Sequence, residues 1–202
     1  MSPRTAKQIE ILKQHRKEQI LEAAFQLFSR NGYYNTSVSD IAEKAKLSKG
    51  LLYTYFESKE HLLNEVVLLA FRDTTKMGDS LLESVDNLSP ENVFRILIET
   101  YFSVLQEQEE LMKLTLSLAV QISAIPSVHD TMMQVYHNLL GQLETVFKGL
   151  NYKEYKKEAI LLGAIIDGIG IQYMLDPENF PLEEMKEIII KKYINNENST
   201  QK

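Results

Sequence analysis

Thr36-Ser37-Val38-Ser39-Asp40-Ile41-Ala42-Glu43-Lys44-Ala45-Lys46-Leu47-Ser48-Lys49-Gly50-Leu51-Leu52-Tyr53-Thr54-Tyr55-Phe56 is the stretch that decides the fold. Thr36-Ser37 and Ser48 are residue types that cap helix N-termini, and Ser37-x-x-Asp40 has the form of a capping box. Each cap therefore opens a short helical run, and about three residues within 44–47 join the two. Ile41, Ala45, Leu47, Leu52 and Phe56 are spaced to lock these runs at a steep angle. The outer face of the second run is then left free of the chain's own core.

Outward from this stretch every signal is helical, because apolar residues recur at three- and four-residue spacing and nowhere alternate over a strand's length. Upstream, Ile20, Ala24, Leu27 and Leu21, Phe25, Phe28 form neighbouring rows of a helix over much of residues 5–30, stopped by Asn31-Gly32. Downstream, Ser58 opens a helix that continues to about Phe71 and joins head to body, with Gly78 marking its end. Ser89-Pro90-Glu91 starts another, to about Gln108, and a further one covers 111–125. Pro126 breaks that run, so the next helix spans 127–148 with Gly149 as its C′ residue. Residues 153–175 form the following helix, ending at Asp176-Pro177, and 182 to about 195 the last. The polar tail, 196–202, has too little apolar content to order itself. The predicted fold is all-α: an N-terminal three-helix helix-turn-helix domain over 1–60, then a larger helical domain over 61–202, to which the family resemblance given below assigns dimerisation and ligand binding.

Composition agrees with this division. At 202 residues and 44% apolar content the chain can bury a real core. The net charge of −6 hides an asymmetry: residues 1–60 hold 10 Lys/Arg against 7 Asp/Glu, and the remainder 12 against 21. Only the first part suits a phosphate backbone. The absence of cysteine removes disulfides, thiolate metal sites and thiol nucleophiles, and fits a reducing cytoplasm. The N-terminus lacks a secretory apolar run, and the apolar windows 114–125 and 159–171 fall short of the about 20 residues a membrane span needs. A cytoplasmic protein with no membrane partner is expected. Enzyme signatures are missing too: there is no phosphate-binding Gly-x-x-x-x-Gly-Lys loop, zinc-spaced His pair or Gly-x-Ser-x-Gly, and Gly168-Ile169-Gly170 follows a helix rather than a strand. No catalytic residue, metal or cofactor is expected.

The stretch quoted above, followed by Lys59, resembles the helix-turn-helix of the TetR family of regulators. The resemblance rests on the Ile-Ala pair, the Ser-Lys-Gly opening, the Leu-Tyr-x-Tyr-Phe run and the downstream Lys-Glu, and is strong over residues 18–68. It implies that Ser48, Lys49 and Gly50 begin the recognition helix, where peptide N–H groups and the positive dipole end face DNA, with Leu51 and Thr54 on the same turns. Tyr53 and Tyr55 would offer a ring to a sugar or thymine methyl and a hydroxyl to phosphate, Lys59 a cation, and Thr36 and Ser37 phosphate-anchoring hydroxyls. Packing or capping alone is the other reading of each of these residues, including packing of Tyr53 on Phe28. The family commonly has Gly where this chain has Lys46, a position suited to left-handed backbone, so about 1 kcal/mol of strain is expected there.

A single recognition helix reads only a few base pairs, so a homodimer on a palindromic double-stranded operator is expected. Its interface is placed on Val135, Leu139, Leu143, Val146 and on Ile160, Ala164, Gly168, Ile171, with Gly163 and Gly170 permitting close approach. The same seams also fit the protomer's own core. Asp167, a charge between apolar neighbours, is read as a hydrogen-bond acceptor at that interface. By resemblance the protein represses transcription and is released by a small lipophilic effector that shifts the linking helix. Candidate pocket residues are Phe94, Tyr101, Phe102, Met112 and Thr115, with Leu116, Gln121, Met133, Tyr136 and His137, equally readable as core. Regulation by a partner protein, or by no ligand, is the alternative.

Overall fold

The computed structural model describes residues 6–83, 88–121 and 125–194, and these form helices and short turns. In chain order they are α1 (Ala6–Asn31), α2 (Val38–Lys44), α3 (Lys49–Leu52), α4 (Lys59–Glu83), α5 (Pro90–Glu107), α6 (Glu109–Gln121), α7 (Pro126–Gly149), α8 (Tyr155–Leu175) and α9 (Leu182–Ile194). The all-α expectation holds. The predicted ends at residues 5, 122–124 and 195, and the polar tail, lie outside the described residues.

Helix boundaries follow local chemistry. Gly32 adopts φ 77 and its N–H closes on Phe28 O at 3.0 Å, ending α1 as predicted. Ser58 caps α4 through His61 N (2.9 Å), and Ser89 caps α5 through Asn92 N (3.3 Å) with Pro90 in the first turn. Two glycines differ from expectation. Gly78 lies inside α4, not at its end, because a side chain from α7 fills the space a Cβ would take. Gly149 is the last helical residue of α7, and Asn151, at φ 61, is the left-handed one. Asn151 N donates to Lys148 O and Tyr152 N to Phe147 O, the paired bonds of a Schellman motif. The accompanying apolar contact is the Tyr152 ring edge-on to Phe147 at 5.2 Å.

The chain packs as two compact units. The first comprises the residues up to Phe71 together with Lys113–Met132; the second comprises Arg72–Met112 and the chain from Met133 onward. In the first, Ile20, Ala24 and Phe28 of α1, Ile41 of α2, Leu52 of α3, Phe56, and Leu62, Leu63, Val66 and Val67 of α4 are all fully buried. That shared core fixes α2 and α3, which are too short to be stable alone. In the second, Phe94, Ile98 and Phe102 of α5 pack with Phe147 of α7, Ala159, Leu162 and Ile166 of α8 and Ile189, Ile190 and Tyr193 of α9. The buried Tyr193 hydroxyl is pushed up to about 12, mainly by loss of water.

The two predicted interface seams part company. On α7, Val135 and Val146 are 8% and 3% exposed and Leu143 packs against the core, so these three pack within their own protomer, while Leu139 is half-buried. What α7 exposes instead is mostly polar, Gln134, His137, Asn138 and Thr145, together with Tyr136. On α8, Ile160, Ala164 and Ile171 are exposed, as are Leu161 and Leu175, and open space fronts Gly163 and Gly168. Gly170 does not belong to that face, since a Cβ there would lie 3.0 Å from Met112 Cε and 3.3 Å from the Tyr101 hydroxyl. Asp167 lies on the exposed face, its carboxyl held above the ordinary range by surroundings that strip water from it. At 21 residues and mean hydropathy 1.5, α8 exceeds the predicted apolar window and is long and apolar enough to cross a membrane by length and composition alone. One stripe of it, Ala159, Leu162, Ile166 and Ile169, is committed to the protein core.

Candidate nucleic-acid interface

α2 and its turn are held by three interlocking local devices. Ser37 is extended (φ −91, ψ 157); its Oγ accepts from Asp40 N at 3.1 Å while Asp40 Oδ2 accepts from Ser37 N at 2.8 Å. This reciprocal capping box also keeps the exposed Asp40 carboxyl below its usual range, through the Ser37 hydrogen bonds first and the charge of Lys59 last. At the other end Lys46 takes φ 56, Lys46 N donates to Glu43 O and Leu47 N to Ala42 O, both at 2.9 Å. The helix-turn-helix turn is thus a Schellman motif carried by lysine at the left-handed position, where the sequence pattern placed it. Ser48 then caps α3, its Oγ accepting from Leu51 N at 3.2 Å.

α3 turns one face inward and one outward. Leu52 and then Phe56 are fully buried, whereas Ser48, Lys49, Gly50, Leu51, Tyr53 and Thr54 are exposed and Tyr55 is half-buried. Helical turns continue past α3 through Thr54 N to Leu51 O and Tyr55 N to Leu52 O, both 3.0 Å. A Cβ on Gly50 would meet nothing within 4 Å, so no internal contact demands glycine there. Its bare backbone faces open space. Tyr53, 46% exposed, is not the tyrosine packed on Phe28; that one is Tyr33, at 5.6 Å between ring centroids.

Three predicted site residues have partners of their own. Thr36 is 1% exposed, and its hydroxyl is shared between the carbonyls of Gly32 (2.9 Å) and Leu27 (3.2 Å), so it fastens the end of α1 rather than reaching solvent. Thr54 Oγ1 donates to Leu51 O at 2.7 Å, leaving its lone pairs outward. Lys59 stacks its ammonium 4.1 Å from the centre of the Tyr33 ring, and desolvation there lowers its pKa while Asp40 opposes the shift.

Sequence reasoning missed two features of this surface. Tyr34, 58% exposed and edge-on to Tyr33 at 5.2 Å, extends the aromatic platform under Lys59; the signal was an aromatic pair between a helix-stopping glycine and a cap. The second is an open groove of about 420 Å3 that brings Lys13 and Lys17 of α1, with Glu10 and Gln14, beside Thr54 and Tyr55. Lys17 is paired there with Glu65 at 2.6 Å.

The ten predicted effector residues are not gathered in one compact unit. Phe94 and Phe102 are sealed in the core of the second unit, and Thr115 and Leu116 belong to the first. Tyr101 is largely buried, donates to Ile166 O at 3.2 Å, and is held above its ordinary pKa by desolvation and the Asp167 charge. Met112 rests on Gly170 and Met133 is half-buried, while Tyr136 and His137 are exposed and in ring contact at 5.7 Å. The Gln121 side chain lies outside the described residues.

Residues 20–66 match the family model for bacterial regulatory proteins of the tetR family, and residues 90–196 match the C-terminal model of BetI-type transcriptional repressors. Among curated relatives, the HTH-type transcriptional regulator PksA of Bacillus subtilis strain 168 is 27% identical over 180 residues, covering 87% of each chain. The HTH-type transcriptional regulator BetI of Proteus mirabilis is 25% identical, covering 86% of this chain and 87% of that one. A transcriptional regulator from Saccharomonospora viridis, solved in complex with choline, shares the fold at TM-score 0.74 and 20% identity, over 91% of this chain and 97% of that one. A C-terminal match over more than half the chain, joined to an amino-terminal helix-turn-helix of the geometry above, makes this protein a TetR-family transcriptional regulator with an N-terminal DNA-binding domain and a helical C-terminal domain.

Proposed function

We propose that the protein is a homodimeric repressor that binds a palindromic operator through residues 1–60 and is released from it by a small lipophilic ligand held within residues 61–202. The observation that carries the DNA half is the open first turn of α3: Ser48, Lys49 and Gly50 are exposed, with free space in front of Gly50. A capped helix start with a bare backbone is suited to a phosphate, and Tyr53 and Leu51, exposed on the same short helix, reach toward base edges. Ser37, exposed at the start of α2, is the matching phosphate contact; Lys59 acts by holding the Tyr33 ring and by its charge.

Dimerisation is supported by the exposed apolar face of α8, with Ile160, Ala164 and Ile171 flanked by the open Gly163 and Gly168. Two such faces related by a twofold axis would bury one another. For the effector, the half-buried Tyr101, Met112 and Met133 are the candidates of the second unit, and choline in a protein of the same fold supports a small organic occupant. A protein that acts on an operator in this way works in the cytoplasm.

The test is selection from a random duplex pool followed by titration of the selected sequence at two salt concentrations. A palindrome bound by two chains, with log K falling by about 0.9 per phosphate contact for each unit of log salt, is the expected result. Failure to select any sequence contradicts the proposal.

A further inference from the structure

α1 runs from Ala6, whereas the helix-turn-helix family match opens only at residue 20. At 1.5 Å per residue this overhang is about 20 Å long. The cationic excess of the head sits in it: residues 1–17 hold five Lys/Arg against one Asp/Glu, and residues 18–60 hold five against six. The helix-turn-helix proper is therefore slightly acidic, and what suits residues 1–60 to a phosphate backbone lies before it.

The fold sets these cations beside the reading segment. Leu21, Lys17 and Lys13 follow one another at four-residue spacing along one face of α1; Leu21 is buried, and beyond it the face turns to lysine. Lys17 is held by Glu65 at 2.6 Å and lies 5.9 Å from the centre of the Phe56 ring. Lys13, one turn further out, is exposed and has no ion-pair partner among the described residues; it lines the open groove that Thr54 and Tyr55 border, where Glu10 is the one carboxylate. Arg16, three residues from Lys13 and so its neighbour on the helix surface, is exposed and donates to Gln19 Oε1 at 3.0 Å. Ile9 and Leu12 are exposed as well, but Ile11 lies on another side of the helix, so no apolar stripe is offered to a membrane or a partner helix.

We propose that the overhang of α1 is a phosphate clamp: Lys13 and Arg16 grip the DNA backbone alongside the bases that α3 reads, and supply most of the head's sequence-independent affinity. This deepens the DNA-binding half of the reading above and rests on it. A backbone strand laid along the groove meets cations on one wall and Thr54 and Tyr55 on the other. Phosphate contacts position a protein without reading bases, so the adhesion falls to α1 and the sequence to α3.

The test compares the full-length parent with its Lys13→Gln, Arg16→Gln double variant, on the selected palindrome and on a random-sequence duplex of equal length, across a range of salt. Both positions are exposed and glutamine suits a helix, so the melting temperature should not change. Two cations lost per protomer should lower the salt slope by about two for each bound protomer, at about 0.9 per phosphate contact. Affinity for both duplexes should fall by the same factor, about 10-fold or more at low salt, with the selected sequence unaltered. Lys13→Arg with Arg16→Lys should keep the parent's slope, and so should Lys148→Gln with Lys153→Gln, which makes the same charge change in the second unit. A folded double variant with the parent's slope and affinity overturns the clamp and leaves the repressor reading intact. Loss on the palindrome alone also overturns it, since these side chains would then read sequence; so does an equal loss of slope from the Lys148 and Lys153 pair, since net charge and not contact would be the cause. A parent that selects no sequence, while the double variant still loses slope on random duplex, contradicts the operator reading alone.

Discussion

α3 and α8 both present exposed side chains, but what lies on each surface differs in kind. On α3 the exposed set is hydroxyls, a lysine, a bare glycine backbone and Leu51, with the exposed Tyr53 and half-buried Tyr55 beyond it, mounted on a helix of four residues that two buried anchors hold in place. On α8, a helix of 21 residues, the exposed set includes the apolar Ile160, Leu161, Ala164, Ile171 and Leu175, with Lys156 and Lys157 in the first turn and Asp167 and Gln172 among them. The first mixes polar groups with the exposed Leu51 and Tyr53, a composition suited to a charged, hydrated partner with apolar base edges. The second leaves apolar area in contact with water, which a second apolar surface relieves at about 25 cal/mol per Å2. On the proposed reading, the chain separates recognition of a polyanion from recognition of itself by the side chains on two helix faces.

The largest expected effect comes from breaking the apolar surface. Ala164→Glu places two like charges across a twofold interface without disturbing a protomer in which Ala164 is exposed. Sedimentation should show a monomer with native helicity, and operator affinity should drop about 100-fold or more; a stable dimer would move the interface off α8. Next comes the polar surface: Tyr53→Ala and Lys49→Ala should each weaken operator binding by about 1–3 kcal/mol with an unchanged melting temperature, the lysine variant alone lowering the salt slope by about one. An unaltered affinity in both would remove α3 from the reading surface.

Smaller effects test how α3 is mounted. Ser37→Ala removes one half of the capping box and should cost about 1 kcal/mol of stability by chemical denaturation. At the turn, Lys46→Gly should stabilise the head by up to about 1 kcal/mol, because φ 56 is strained for a side-chain-bearing residue. Asn151→Gly, at φ 61 in the body, should gain less, since asparagine tolerates that region. Equal gains would mean that the lysine carries no particular strain.

How much of this could be read in advance depends on how far each signal reaches along the chain. Caps and turns are written within four residues, so Ser37, Ser48, Ser58, Ser89 and Gly32 were legible locally, whereas the left-handed Lys46 was legible only through the family resemblance. Gly78 was not, because its reason is an amide from α7; read locally, a glycine in a helix is a stop. Gly149 and Asn151 both suit a helix end, and the choice between them fell to the Tyr152 and Phe147 ring contact. Periodicity found the apolar stripes of α7 and α8 but not their partners, which is why one faces the core and the other solvent. Thr36 carries the right group for a phosphate, and only the fold shows that the carbonyls of Leu27 and Gly32 have taken it.

The most direct test of this division of labour is amide hydrogen exchange of the dimer, free and bound to its selected operator. The account predicts that residues 48–55 gain protection on DNA binding while residues 160–171, already protected by the partner copy, do not change. Protection gained across α8 with residues 48–55 unaltered would contradict it.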